Sequence, residues 1–80
     1  MDKKIANLYD AGKVDDAIHL LIKKINNHPK NIENYLQLST YLIEQNSADQ
    51  ALELLEKARG LVDQPEALTY NIAVCYYMQG

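Results

Sequence analysis

The sequence predicts an all-α fold, a solenoid of antiparallel helix pairs with five helices, on three observations. Apolar residues recur at helical spacing in successive stretches, the stretches are parted by short turns carrying Gly, Asn or Pro, and the pattern repeats after thirty-four residues. The repeat places Ala17 over Ala51, Leu21 over Leu55, and Gly12 over Asn46 and then Gly80. It also carries Leu38 onto Ile72 and Leu42 onto Tyr76, so the last ten residues match a piece of the middle.

Each helix has its own justification. The first, about residues 2–11, ends at Gly12. The second, about 14–27, is the best marked: Val14, Ala17, Ile18, Leu21, Ile22 and Ile25 form one stripe of a 3.6-residue helix, with Asp15 and Asp16 in its first turn, where negative charge offsets the helix dipole. Pro29 stops it and Asn31 can cap the third, about 31–45, whose stripe is Ile32, Tyr35, Leu38, Ser39 and Leu42. Asn46 suits a left-handed turn, and Ser47 with Gln50 reads as a capping box opening the fourth, about 47–62, with Ala48, Ala51, Leu52, Leu55, Ala58 and Val62 inward. Asp63 and Glu66 around Pro65 suggest a second capping pattern for the fifth, about 65–79, striped by Leu68, Ile72 and Tyr76. Short turns make consecutive helices antiparallel, and a two-helix unit must stack on the next to bury both faces. Ala17 and Ala51 are the short side chains a close helix crossing needs.

Composition narrows the function. At 80 residues the chain makes one small domain, and 48% hydrophobic with 24% charged residues is ordinary for a globular protein. A net charge of −3 with scattered Lys and Arg argues against nucleic acid as partner. The longest apolar run falls far short of the roughly 20 residues that span a bilayer, so no membrane segment is expected. Cys75 alone can make no internal disulfide, which fits a reducing compartment, by default the cytoplasm.

No catalytic set emerges. His19 and His28 lack the spacing of a metal pair, Cys75 has no basic neighbour in sequence to activate it and reads as a small buried hydrophobe, and Glu53 with Lys57 forms an i, i+4 surface pair. The expectation is a non-enzyme without cofactor or metal.

These residues resemble the tetratricopeptide repeat, whose pattern is W-x₂-L-G-x₂-Y, then A-x₃-F, then P. The middle unit reads Tyr35-x₂-Leu38-Ser39-x₂-Leu42, then Ala51-x₃-Leu55, with Asp63 in place of Pro. The first reads Lys4-Ile5-x₂-Leu8, then Ala17-x₃-Leu21, then Pro29, and the third gives Ile72-Ala73-x₂-Tyr76. Departures are the lack of Trp, Lys4 at an apolar position, and Lys24 where the second unit has Ala58. The resemblance implies a right-handed solenoid over residues 1–80, with repeats at about 1–31 and 32–65 and a half repeat at 66–80, as the front of a longer array. It also implies an interaction module that holds a protein or peptide partner on the concave face lined by the first helix of each repeat.

Carried over position by position, that face would present Asp10, Glu33, Gln37, Thr40, Glu44, Tyr70, Asn71, Val74 and Tyr77, with Lys3, Ala6 and Met78 beside them. Some members clamp a C-terminal carboxylate with cations. Here the matching positions are Asp2, Ala6, Gln37, Ala67 and Asn71, so that role is excluded, and an acidic, Tyr-bearing groove suits a basic or aromatic segment. Two alternatives stand beside this one. The apolar stretch "IAVCYYM" could pair with a second copy through Ile72, Cys75 and Tyr76 in a homodimer or domain swap involving residues 66–80, or the array could be the non-catalytic front end of a larger enzyme or regulator.

Overall fold

A computed structural model describes all residues 1–80. Five α-helices follow one another: α1 (Lys3–Asp10), α2 (Val14–Asn27), α3 (Ile32–Glu44), α4 (Ala48–Arg59) and α5 (Thr69–Gln79), the last entered through a 3₁₀ turn at Pro65–Leu68. Each helix packs against the next, and α5 also reaches back to α3, so α1, α3 and α5 form one layer and α2 and α4 the other. The result is a slab measuring 30 × 29 × 15 Å.

The turns after α1 and α3 are the same device thirty-four residues apart. Gly12 and Asn46 take left-handed φ values of 88° and 62°. The following residue then closes the helix end, with Lys13 N–H donating to Leu8 O at 2.9 Å and Ser47 N–H to Leu42 O at 2.8 Å. This explains why the expected capping box at Ser47 does not form. Ser47 is committed to closing α3, its ψ is 47° rather than extended, and its hydroxyl makes no cap bond. The Asp63–Glu66 pattern also makes no cap: Gln64 precedes the 3₁₀ turn, and Pro65 opens it without needing an N–H partner. True side-chain caps sit where the backbone is extended, at Asp2 (to Ile5 N–H, 3.0 Å) and Asn31 (to Glu33 N–H, 3.0 Å).

The core has two parts. Ile5, Ala17, Leu21, Leu38 and Tyr41 close the first helix pair onto α3. Tyr35, Ala51, Leu55, Ala58, Val62, Leu68 and Cys75 close α3, α4 and α5. Ile25, Leu42 and Leu54 pack against both, which makes the core continuous. Ala17, Ala51 and Ala58 are wholly buried at the crossings. Tyr35 spans the second cluster and donates its hydroxyl to Pro29 O at 2.6 Å, tying the proline turn to α3.

The sequence pattern missed one feature of α3. Ser39, on the stripe, is buried as expected, but Asn34 and Gln37 are buried too. A single apolar stripe presumes one buried face, but α3 is the central helix with neighbours on three sides. Its Asn34, Gln37, Tyr41 row lies outside the stripe and is covered all the same.

Candidate functional site

Five of the residues expected on the concave face come together. Thr40 and Glu44 from α3 and Tyr70, Asn71 and Val74 from α5, joined by Ile43, line a groove of about 190 Å³ between the two helices. Its construction is local. Asn71 Nδ2 donates to the buried Ser39 Oγ at 2.8 Å, which pins α5 to α3. Thr40 Oγ1 donates back to Leu36 O at 2.9 Å, so its hydroxyl proton is used within α3. Tyr70 stands at one wall, largely exposed. The volume lies below the roughly 300–1,000 Å³ of small-molecule sites, so the groove is sized for one or two side chains of a larger ligand.

Glu44 is oriented from the neighbouring unit. Tyr9 O–H donates to Glu44 Oε1 at 2.7 Å, Gln45 Nε2 donates to Tyr9 Oη at 3.1 Å, and the Tyr9 ring stacks on Tyr41 with centroids 3.7 Å apart and planes 6° from parallel. Burial, reinforced by the Glu44 carboxylate, pushes the Tyr9 hydroxyl above its usual value, so it remains a donor to Glu44.

The other expected residues divide. Tyr77 is 83% exposed on α5, beyond the groove, and Asp10 is exposed at the end of α1. Glu33 is exposed and meets the N-terminal ammonium at 3.5 Å. Gln37 has to be withdrawn from the partner surface. It is 1% exposed and spent within the chain, accepting from Asp2 N–H at 2.9 Å and donating to Asp2 O and Tyr41 Oη at 3.1 Å each. With the cap Asp2 makes on α1 and the Lys24 Nζ–Asp2 Oδ2 pair at 2.8 Å, these bonds staple α1 to α2 and α3. The Lys24 hydrogen bond, then the Ile5 N–H, hold the Asp2 carboxyl below its usual range.

Cys75 is likewise withdrawn from any surface offered to a second chain. It is wholly buried in the second cluster, and burial pushes its thiol up, which leaves it an inert core side chain. Ile72 is half-buried against the same cluster, whereas Tyr76, which the repeat pattern marks as a core position, is 58% exposed. His19 and His28 are exposed, and the Glu53–Lys57 pair forms at 3.7 Å with both side chains exposed.

A second groove, of about 320 Å³, lies on the opposite face between α2 and α4, lined by Ile18, Ile22, Leu42 and Leu54 over Leu38. It is larger and more apolar, but its rim charges, Glu53 and Lys57, satisfy one another. The sequence signal for it was Ile22, which lies on the apolar stripe of α2 yet is left exposed. No helix is long and apolar enough to cross a membrane.

Comparison with known families agrees with this architecture. A family model described as tetratricopeptide repeat matches residues 8–69, from the end of α1 into the first residue of α5. Neither a curated protein nor a solved structure matches the chain. Repeats of this family generally mediate protein–protein interaction and are typically non-catalytic. The thirty-four-residue period, the paired left-handed turns, the alanine crossings and this match together place the chain in the tetratricopeptide repeat family.

Proposed function

We propose that this chain is a non-catalytic interaction module that holds a segment of a partner protein in the groove between α3 and α5. The observation that carries the proposal is the convergence of Thr40, Glu44, Tyr70, Asn71 and Val74 on one side-chain-sized groove. Tyr70 supplies rigid aromatic area at low entropic cost, Asn71 an amide, Val74 an apolar wall, and Glu44 a fixed negative charge. Exposed Tyr77 adds aromatic surface beyond the groove and Asp10 adds negative charge at the end of α1, so the favoured segment is one carrying Lys or Arg beside an aromatic or aliphatic residue. In this proposal the chain is a single domain of two repeats, about 1–31 and 32–65, and a half repeat, 66–80. It acts in the cytoplasm, where a lone thiol stays reduced.

Selection of a displayed library of short random peptides on the immobilised chain tests it. Enriched peptides should combine basic and aromatic residues, and Tyr70→Ser should weaken their binding by about tenfold, the loss expected of one aromatic anchor. Glu44→Lys should select against the basic residues. Enrichment of acidic peptides, or binding indifferent to both substitutions, would overturn the proposal.

A further inference from the structure

The hydrogen bonds behind the α3–α5 groove run in one direction. Ser39 Oγ donates to Leu36 O at 3.0 Å, so toward Asn71 it can only accept. The Asn71 amide therefore turns Nδ2 to Ser39, at 2.8 Å, and its Oδ1 has no partner in the chain. Thr40 Oγ1 likewise spends its proton on Leu36 O and keeps its lone pairs. Glu44 receives the Tyr9 hydroxyl on Oε1, while its Oε2 is engaged in no hydrogen bond or ion pair within the chain. Three residues of the groove, from two helices, thus offer unused acceptors, and one of the three is charged.

We infer that the basic residue this groove takes is arginine rather than lysine, its guanidinium lying against Tyr70 and donating to Glu44, Thr40 and Asn71. The inference rests on the groove reading proposed above and narrows its ligand to one side-chain chemistry.

The spread of the acceptors favours arginine. Thr40 and Glu44 stand one turn apart on α3, with Cβ atoms about 5–6 Å from one another, and Asn71 belongs to the other wall, α5. A guanidinium carries five N–H donors in one rigid plane and reaches acceptors on both walls, whereas an ammonium gathers three donors on a single atom. The rest of the lining favours it too. Ile43 and Val74 are aliphatic and Tyr70 is aromatic, and a guanidinium is weakly hydrated and stacks on an aromatic ring, while an ammonium must first lose a tightly held water shell. The Glu44 carboxylate selects a cation over a neutral amide, because hydrogen bonds to an ionised acceptor are about twice as strong.

A regulatory consequence follows for the partner. Methylation of arginine keeps the charge and removes donors, so the groove reads the unmodified residue and releases the dimethylated one.

Titration of the labelled full chain with four peptides tests this, each acetyl-Gly-Ala-Tyr-X-Ala-Gly-amide with arginine, lysine, citrulline or asymmetric dimethylarginine at X. The arginine peptide should shift the amides of Thr40, Glu44, Tyr70, Asn71 and Val74 and bind at least about tenfold more tightly than each of the others, the loss expected of one charge-assisted hydrogen bond. Glu44→Gln, which keeps an acceptor for Tyr9, should weaken the arginine and lysine peptides alike. Thr40→Val removes an acceptor and no charge, so it should bring the arginine peptide toward the lysine one; circular dichroism confirms the fold of each variant. Equal binding of the arginine and lysine peptides, undiminished binding of the dimethylated one, or an arginine preference unmoved by Thr40→Val overturns the inference and leaves the groove reading standing. A groove silent to all four peptides overturns it as well, and peptides selected from the random library then decide the groove reading separately.

Discussion

Asn34 should be the most profitable single site for stabilising the protein. Its side chain is 3% exposed, and its Nδ2 finds no hydrogen-bond partner. A buried donor in that state costs about 1–3 kcal/mol. The chain's own repeat shows what fits there: thirty-four residues on stands Leu68, wholly buried with Leu55, Ala58 and Val62. Asn34→Leu removes the orphan donor and adds apolar burial worth about 1 kcal/mol, against an overpacking cost of similar size from the larger branched side chain. The balance is a gain of about 2 kcal/mol, which in a domain this small raises Tm by about 10 °C. Asn34→Asp keeps the shape but buries a charge, and should lose at least as much as the leucine gains. Urea unfolding followed by circular dichroism measures both, with the shift expected in the midpoint and not in the slope. A leucine variant no more stable than wild type would mean that the amide is satisfied, and would refute this account of the α3 interior.

Further predictions concern the staple, the turns and the thiol. Gln37→Ala should cost about 2 kcal/mol, because it strands the buried Tyr41 hydroxyl and leaves Asp2 N–H without its acceptor, while Asp2 O keeps the bond from Ala6 N–H; amide exchange should show α1 losing more protection than α4. Asp2→Asn keeps a competent cap and deletes the Lys24 pair, so it should cost about 0.5–1 kcal/mol at neutral pH. The Asp2 carboxyl is depressed in the folded state, so its contribution is fully present above the unfolded value near 3.8 and disappears as pH falls through the lower folded value; the two proteins should converge in stability once the pH is below that folded value. Gly12→Ala should cost about 1–2 kcal/mol through its φ of 88°, with no steric clash to add to it. Cys75 should react with a thiol reagent only as fast as the second core cluster opens, and mild urea should accelerate it in step with global unfolding.

The fold was legible in the sequence because its determinants are local and repeated. The period fixed which turns correspond, Gly12 and Asn46 announced the left-handed closures, and Ala17 and Ala51 marked the crossings. Cap chemistry was less legible, since Ser47 looks like a cap in composition but its backbone already closes the preceding helix. The site was legible in outline. Family geometry placed Thr40, Glu44, Tyr70, Asn71 and Val74 on one face, and the structure gathers them. It mistook Gln37, because whether a polar residue at a groove position is free depends on partners far along the chain. Gln37 is consumed by Asp2, thirty-five residues away. The same limit hid the Tyr9–Tyr41 stack that orients Glu44 and left Tyr76 assigned to the core, since a repeat pattern records what a position packs against only where the covering helix is present.

The central claim is that the α3–α5 groove takes the partner segment. Amide and side-chain chemical shifts, recorded while a selected basic–aromatic peptide is titrated into the labelled chain, test it most directly. The account predicts shifts concentrated at Thr40, Ile43, Glu44, Tyr70, Asn71 and Val74, with Ile22 and Leu54 on the opposite face unmoved. Shifts centred on Ile18, Ile22 and Leu54, with the α3–α5 groove silent, would contradict it.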